Sequence, residues 1–170
     1  MSEINVMKKI FLDKIVLNIS TGKSGSILES AKIALDQITN KKSCVRNAKR
    51  AQRDWGVRSG EPIAAAVTMR KNEGVQLLKR LLIAKQNQIQ DKSFDNFGNV
   101  SFGIKEHIDI PDIKYDPRIG IFGLNVSISL SRLGFNIRFK RNIKKIGRTH
   151  KITSDEAKKF MIKEFGVKIY

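Results

Sequence analysis

Residues 124–131 read Leu-Asn-Val-Ser-Ile-Ser-Leu-Ser, a strict alternation of apolar and polar side chains. Successive side chains of a β-strand point to opposite faces of the sheet, so this pattern predicts a strand with an apolar inner face and a polar outer face. Residues 135–140 alternate in the same way after a turn near Gly134. The two segments together predict an antiparallel pair whose second strand has a basic outer side.

Further strands and helices are predicted on either side of this pair. Apolar alternation or β-branched residues predict strands at 14–20, 63–70 and Val100 to Ile104. Apolar side chains at helical spacing predict helices at 27–39, which Asn40 ends, at 73–89, and at about 154–165, where Thr153-Ser154-Asp155-Glu156 is a capping box. The expected fold class is α+β: a mostly antiparallel sheet with helices packed on one face and long basic loops.

The charge of the chain is strongly positive and unevenly distributed. It has 33 Lys+Arg against 16 Asp+Glu, a formal net charge of +17. Residues 41–58 hold seven basic residues and one acid, and residues 138–151 hold seven basic residues and no acid. Like charges concentrated in this way repel each other, and a polyanion offsets the repulsion. Nucleic acid, with its dense phosphates, is the expected partner.

Length and composition exclude several classes of protein. With 170 residues and a hydrophobic fraction of 41%, the chain suits a single domain, 1–170, with a real core. No apolar run approaches the ~18 residues that span a bilayer, and the start, Met1 to Lys9, has no long apolar stretch, so neither a membrane protein nor a secretory signal is expected. One cysteine and two histidines leave no disulfide framework and no zinc site, and no metal or cofactor is expected.

The sequence contains few candidates for catalysis, and no enzymatic activity is expected. Glu106-His107-Ile108-Asp109 places an imidazole between two acids, but beside Pro111 we interpret it as a turn with local hydrogen bonds. Cys44 has no base near it in the sequence, and we interpret it as a small buried hydrophobe. Gly22-Lys23-Ser24-Gly25 lacks the spacing of a nucleotide-binding loop, yet between a strand and a helix it offers backbone N–H groups to an RNA phosphate.

Trp55 lies in the first basic window, among arginines. An aromatic ring in such a loop can stack on a base or a ribose. It can equally anchor the loop to the sheet, and the sequence leaves both alternatives open.

Four strings in the chain resemble one protein family. They are Leu17-Asn18-Ile19-Ser20, Ile-Ala-Ala-Ala-Val-Thr-Met-Arg at 63–70, Phe-Gly-Ile-Lys-Glu-His-Ile-Asp at 102–109, and Lys-Tyr-Asp-Pro-Arg-Ile-Gly-Ile-Phe-Gly at 114–123. Together they resemble the universal ribosomal protein L-five family, called L-eleven in eukaryotes, over about Val6 to Tyr170. Arg53-Asp54-Trp55-Gly56-Val57-Arg58 and the short ending resemble its archaeal branch.

This resemblance implies a structural constituent of the large ribosomal subunit, located in the central protuberance. The family holds 5S rRNA with its first strands and adjoining loops; the matching positions here are Asn18, Ser20, Thr21, Lys23, Lys41, Arg46, Thr68 and Arg70. Within the basic loop at about 41–60, the family contacts P-site tRNA; the candidates are Arg50, Arg53, Trp55 and Arg58. The basic C-terminal segment at about 136–151 is expected to bind large-subunit rRNA through Arg138, Lys140, Arg141, Lys144, Lys145, Arg148 and Lys151.

The resemblance also implies further partners and a location. The expected partners are the other 5S-binding large-subunit protein and a small-subunit protein across an intersubunit bridge, with no membrane. The expected location is cytoplasmic and ribosome-bound, with nucleolar assembly as well in a eukaryotic source. The chain departs from the family at Lys71, where Gly usually follows V-T-x-R, and at Leu133, where the family has the Pro of R-P-G.

Two alternatives belong to other functional classes. A basic architectural DNA- or RNA-binding protein outside the ribosome would share the charge, and a DNA-binding one should prefer duplex DNA to structured RNA. A small hydrolase built on Glu106, His107 and Asp109 would lose its activity in His107→Ala, whereas an RNA-binding protein would keep its RNA affinity.

Overall fold

The computed structural model describes residues 5–170; the first four residues, part of the segment judged above for a secretory signal, lie outside the described residues. The longer elements are β1 (Ile10–Ser20), α1 (Ser26–Thr39), β2 (Cys44–Asn47), β3 (Pro62–Arg70), α2 (Lys71–Ala84), β4 (Gln88–Ile89), β5 (Val100–Ile104), β6 (Leu124–Arg132), α3 (Ser154–Phe165) and β7 (Lys168–Ile169). Five strands form one antiparallel sheet in the order β2-β3-β1-β6-β5, and β4 and β7 form a short parallel pair. The α+β class and the mostly antiparallel sheet are therefore confirmed.

The hydrophobic core lies on one face of this sheet. In β6, Ile128 pairs with Ile15 of β1 on one side and with Val100 of β5 on the other, and all three side chains are buried. The apolar faces of α1, α2 and α3 close the same core, with Leu35 and Leu78 among its fully buried side chains. The predicted packing of helices on one face is confirmed, and the polar positions of the strands lie on the other.

Residues 135–140 do not form the predicted strand. Phe135–Arg138 is a 3-10 helix, entered through Gly134 at φ 94°. β1 pairs with β6 as far as Arg132, and after Gly134 the chain turns so that Phe135 packs into the core instead of pairing with β6. A local alternation gives no information about such a tertiary contact.

The second helix is shorter than its apolar pattern predicts. α2 ends at Ala84, and Gln86 and Asn87 both have positive φ, at 57° and 55°, which no helix continues through. Ile89, expected on the helix, instead pairs with Ile169 between β4 and β7 and is buried there. The apolar side chain reaches the core by a different route from the one that helical spacing suggests.

The helix ends carry the predicted caps. α1 ends at Asn40 in the left-handed conformation, with φ 51°. The capping box of α3 is formed: the Thr153 hydroxyl accepts the N–H of Glu156 at 3.4 Å, and the Glu156 carboxylate accepts the N–H of Thr153 at 3.1 Å.

Lys71, which stands where the resembled family has glycine, adopts a left-handed conformation with φ 56° at the junction of β3 and α2. A Cβ atom is disfavoured there and absent in glycine. We expect Lys71→Gly to raise the free energy of unfolding by about 0.5–1 kcal/mol, measured by urea denaturation.

The matched control is Lys79→Gly in the interior of α2, also an exposed lysine. Glycine costs about 1 kcal/mol at a regular helical position, so this variant is expected to be destabilised. The same sign of change in both variants would contradict the explanation.

Candidate nucleic-acid interface

The face of the sheet opposite the helices, here called the open face, is built from small polar side chains. The strand register shows which side chains share this face. Asn18 of β1 lies between Ala66 and Asn125, and Val16, the neighbouring β1 residue on the same face, lies between Thr68 and Ser127. The Asn18 amide donates to the Ser20 hydroxyl at 3.0 Å, which places both on this face. A surface of short side chains lets another backbone come close to the sheet.

Most of the predicted 5S rRNA positions lie on or beside the open face. Asn18, Ser20, Arg46, Thr68 and Arg70 occupy its outward register positions. The face also includes Asn125, Ser127 and Ser101. Sequence reasoning did not select them as site residues, although the alternation of β6 predicted that its polar side chains lie on this face.

Thr21 and Lys23 lie in the turn between β1 and α1. The Thr21 hydroxyl is 2.8 Å from the carbonyl of Lys23 and 3.0 Å from that of Ile63, so it fixes the turn against the start of β3. Lys23 is exposed at the same end of the sheet. The helix that follows has Gly25 as its N-cap, a residue without a side chain to cap the first turn.

Lys41 does not join the other predicted 5S rRNA positions. It follows the end of α1 and forms an ion pair with Glu73 on the first turn of α2. Its partner lies on a helix that covers the core, whereas the remaining candidates lie on the sheet or, for Thr21 and Lys23, in the turn that follows β1. Sequence proximity to the other lysines gave no sign of this pairing.

The basic loop at about 41–60 contains a short strand and then a hairpin tip. Backbone hydrogen bonds between Ala48 and Glu61 (2.8 Å) and between Gln52 and Val57 (2.8 Å) close it, in agreement with the expected loop. Arg50, Arg53 and Arg58 are exposed, and Trp55 is 76% exposed. A ring so open to water does not hold the loop to the sheet, so the anchor alternative for Trp55 is wrong.

One carboxylate ties the hairpin tip to the turn before α1. Glu61 accepts the backbone N–H of Arg58 at 3.0 Å and the hydroxyl of Ser24 at 2.9 Å. These hydrogen bonds to the charged form lower the pKa of Glu61. The two loops therefore reach solvent as one connected end of the molecule.

The basic C-terminal segment and the turn before it, residues 133–151, are called the basic segment from here on. Arg132 holds the two ends of this segment together, at a point here called the neck. This guanidinium is only 5% exposed and donates to the carbonyls of His150 and Lys151, both at 3.3 Å, and to the carboxylate of Glu156 at 2.7 Å. His150 Nε2 lies 2.9 Å from the carbonyl of Leu133 across the same neck. Sequence reasoning missed Arg132, because its contact with the His150 carbonyl joins positions 18 residues apart.

The seven predicted rRNA-binding side chains of this segment are all exposed: Arg138, Lys140, Arg141, Lys144, Lys145, Arg148 and Lys151. The register places the segment and the basic loop at opposite ends of the open face. Ser20 pairs with Ala64 near the loop, and Lys14 pairs with Arg70 near the neck. With nine residues in β3, the two ends are about 30 Å apart.

The residues considered for catalysis have structural roles. His107 is 1% exposed, its Nδ1 accepts the N–H of Phe122 at 3.2 Å, and burial lowers its pKa. The interpretation of this string as a turn with local hydrogen bonds agrees with these contacts. Cys44 is not buried as expected; it is exposed on the open face, with its sulfur 3.1 Å from the carbonyl of Ala66.

Residues 5–170 contain neither a metal-binding cluster nor a membrane-spanning helix. No group of three or more His, Cys, Asp or Glu side chains is placed to hold a metal ion. None of the helices there has the length and apolar character that crossing a membrane requires.

Fold and surface together define a small, strongly basic α+β protein with an open polar sheet. A family model described as Ribosomal protein L5 matches residues 5–58, and a second model, described as the C-terminus of the same ribosomal family, matches residues 62–168. The chain therefore belongs to the ribosomal protein L5 family and is a structural, non-enzymatic ribosomal protein.

Archaeal proteins match nearly the whole chain, as the sequence strings indicated. The chain is 57% identical over 164 residues to large ribosomal subunit protein uL5 of Nitrosopumilus maritimus, with 96% of this chain and 95% of that protein covered. It is 56% identical to the protein of the same name in Cenarchaeum symbiosum, with 96% and 97% covered, and 42% identical to that in Sulfolobus acidocaldarius, with 97% and 93% covered. The expected archaeal branch is confirmed.

The neck of the basic segment makes stability depend on pH. Partial burial raises the pKa of Glu156, but hydrogen bonds from Thr153 and Arg132 and the charge of Arg132 outweigh it, so the pKa lies below the ordinary 4.5. A lowered carboxylate pKa contributes stability above the unfolded value, and that contribution is lost as the pH falls through the folded value. Glu156→Gln, which resembles the protonated acid, is expected to lose about 1–2 kcal/mol at pH 7.

The measurement is the free energy of unfolding in urea from pH 7 to about pH 3. The difference between Glu156→Gln and the unmodified protein is expected to shrink toward zero at the acid end. Glu164→Gln, which changes an exposed carboxylate on the same helix, is the control and is expected to show no such pH-dependent difference. A constant difference at all pH values would contradict the role of the charged form.

Proposed function

We propose that this protein is a constituent of the large ribosomal subunit that binds 5S rRNA across the open face of its sheet. The observation that carries the proposal is the open face itself: a row of Asn, Ser and Thr side chains with no helix over it and a basic segment at each end. Family membership and the uL5 relatives support the ribosomal part of the proposal.

Each part of this face has a role suited to RNA. Arg46 and Arg70, with Lys14 beside Arg70 on the neighbouring strand, neutralise phosphates. Asn18 and Thr68 offer donors and acceptors to ribose 2′-hydroxyls and base edges. The charged contacts supply most of the affinity, and the amide and hydroxyl contacts position the RNA.

The basic loop is proposed to contact tRNA in the P site. Trp55 projects at the hairpin tip with Arg50, Arg53 and Arg58 around it, all of them exposed. An exposed ring stacks on a base or ribose, while the guanidinium groups bind phosphates. The loop lies at one end of the open face, so 5S rRNA and tRNA are contacted by separate parts of the protein.

The remaining surfaces complete the ribosomal assignment. The basic segment, at the other end of the sheet, is proposed to bind large-subunit rRNA within the central protuberance. Family membership supports contacts with the other 5S-binding protein and with a small-subunit protein across the intersubunit bridge. A cytoplasmic, ribosome-bound location without a membrane follows from this role.

A binding competition tests the 5S rRNA proposal. Purified protein is titrated with labelled 5S rRNA at near-physiological salt, with duplex DNA of equal length and an unrelated structured RNA as competitors. Only unlabelled 5S rRNA is expected to compete well. Because the contacts are to phosphates, the logarithm of affinity is expected to fall with the logarithm of salt concentration by about 0.7–0.9 per phosphate neutralised.

Each alternative has its own result in this experiment. Preference for duplex DNA would support an architectural DNA-binding protein instead. Equal competition by all three would mean that the isolated protein responds to charge alone. An affinity independent of salt would contradict the electrostatic basis of the proposal.

A triple variant separates the tRNA contact from the 5S rRNA contact. Arg50→Gln, Arg53→Gln and Arg58→Gln together are expected to weaken tRNA binding to the P site of reconstituted ribosomes about tenfold, at about 0.5 kcal/mol for each exposed charge contact. Binding of 5S rRNA is expected to stay within about twofold, because these side chains lie beyond the open face.

The charge-matched control replaces Lys79, Lys163 and Lys168 by Gln. These are exposed side chains of α2, α3 and β7, outside the open face and both basic segments, and the control loses the same three charges. It is expected to leave tRNA binding unchanged. Loss of 5S rRNA binding in the arginine variant alone would mean that the loop has been assigned to the wrong RNA.

A further inference from the structure

A cavity of about 450 Å³ lies where the open face meets the basic segment. Phe11, Lys14 and Arg70 line it from the sheet, and Arg138 and Phe139 line it from the basic segment. Its size falls within the range of pockets that hold small organic ligands. Neither the family match nor the resemblance assigns a ligand to it.

A β-bulge shapes the sheet side of the cavity. The pairing of β1 with β6 shifts register between Leu12 and Lys14, so Asp13 is the extra residue. Beyond the bulge Phe11 pairs with Ser131 and is 38% exposed. Bulges bend a strand and re-aim its side chains, and this one sets an aromatic ring and a lysine at the end of the open face.

The other wall holds an aromatic ring that packing alone does not explain. The Arg138 guanidinium lies 5.1 Å from the Phe135 ring centre and 5.6 Å from that of Phe139. Phe135 is buried and fixes this pair to the core, whereas Phe139 is 71% exposed. An exposed ring held beside a cation at the mouth of a cavity is a platform on which a nucleobase stacks.

The charges around the cavity select an anionic ligand. Four basic residues line it, Lys14, Arg70, Arg138 and the Glu156-paired Arg132, and Asp13 is the one carboxylate among the lining residues. Asp13 lies 3.8 Å from Nη1 of Arg70 and so orients one of the cations. A ligand with a flat apolar face and a negative charge fits both walls, and a nucleotide has both features.

We propose that this cavity holds one unstacked nucleotide of the bound RNA, with its base on Phe139 and its phosphate between Lys14 and Arg70. The inference rests on the proposed binding of RNA to the open face, with which the cavity is continuous through Lys14 and Arg70. Capture of a single flipped base adds selection for an unpaired nucleotide to the phosphate, ribose and base-edge contacts of the open face.

The test measures 5S rRNA affinity for Phe139→Leu and Phe139→Trp. Because stacking on one side chain accounts for about 1–3 kcal/mol, Phe139→Leu is expected to weaken binding about 5- to 100-fold, and Phe139→Trp to bind within about twofold of the unmodified protein. The salt dependence is expected to stay the same in both, since neither substitution removes a phosphate contact. Phe97→Leu, an exposed phenylalanine outside this cavity, is the control and is expected to have no effect.

Two RNA oligonucleotides test the cavity independently of 5S rRNA. Phe139→Leu is expected to bind a short single strand more weakly than the unmodified protein does, and to bind a fully paired duplex of equal length equally well. Unchanged binding of both the single strand and 5S rRNA in Phe139→Leu would overturn the proposal, as would a loss that tryptophan fails to restore. Failure of the unmodified protein to select 5S rRNA would overturn the proposed function. The two oligonucleotides would still show whether the cavity binds an unpaired nucleotide. Displacement of the single strand by adenosine monophosphate below millimolar concentration would assign the cavity to a free nucleotide instead.

Discussion

One-sided burial of the five-stranded sheet is the constraint on which the rest of the molecule depends. β6 lies between β1 and β5, and its inward residue Ile128 contacts the core while Ser127 on the next position stays outside. Because side chains alternate strictly, every strand that packs its apolar residues against the helices must place the others on the opposite face of the sheet. The open face is therefore a direct consequence of how the core is made.

The basic residues are distributed so that the molecule does not neutralise its own charge. Within residues 5–170 the ion pairs join Lys41, Arg70, Arg80, Arg132 and Lys158 to carboxylates, and none of them involves the seven cations of the basic segment or the arginines of the hairpin tip. Clustered cations without partners raise the free energy of the compact state. A polyanion lowers it again, so the surface is arranged for a partner rather than for the isolated chain.

Sequence reasoning predicted the sheet and its polar face well, because alternation is a local property. It failed where the outcome depends on distant residues. Residues 135–140 alternate as well as 124–131 do, yet Phe135–Arg138 is a short 3-10 helix whose Phe135 packs into the core. Cys44, expected to be buried, is exposed because β2 presents it on the open face.

The neck at Arg132 links the core to the proposed RNA contacts. Arg132 is the last residue of β6, and its guanidinium holds the end of the basic segment and the start of α3 at once. Phe135 then fixes the first turn of the segment to the core, which sets Arg138 and Phe139 beside Lys14 and Arg70. A loop held in place before RNA arrives loses less conformational entropy on binding, so more of the contact energy appears as affinity. The buried arginine therefore fixes the position of the exposed cations relative to the sheet before any RNA binds.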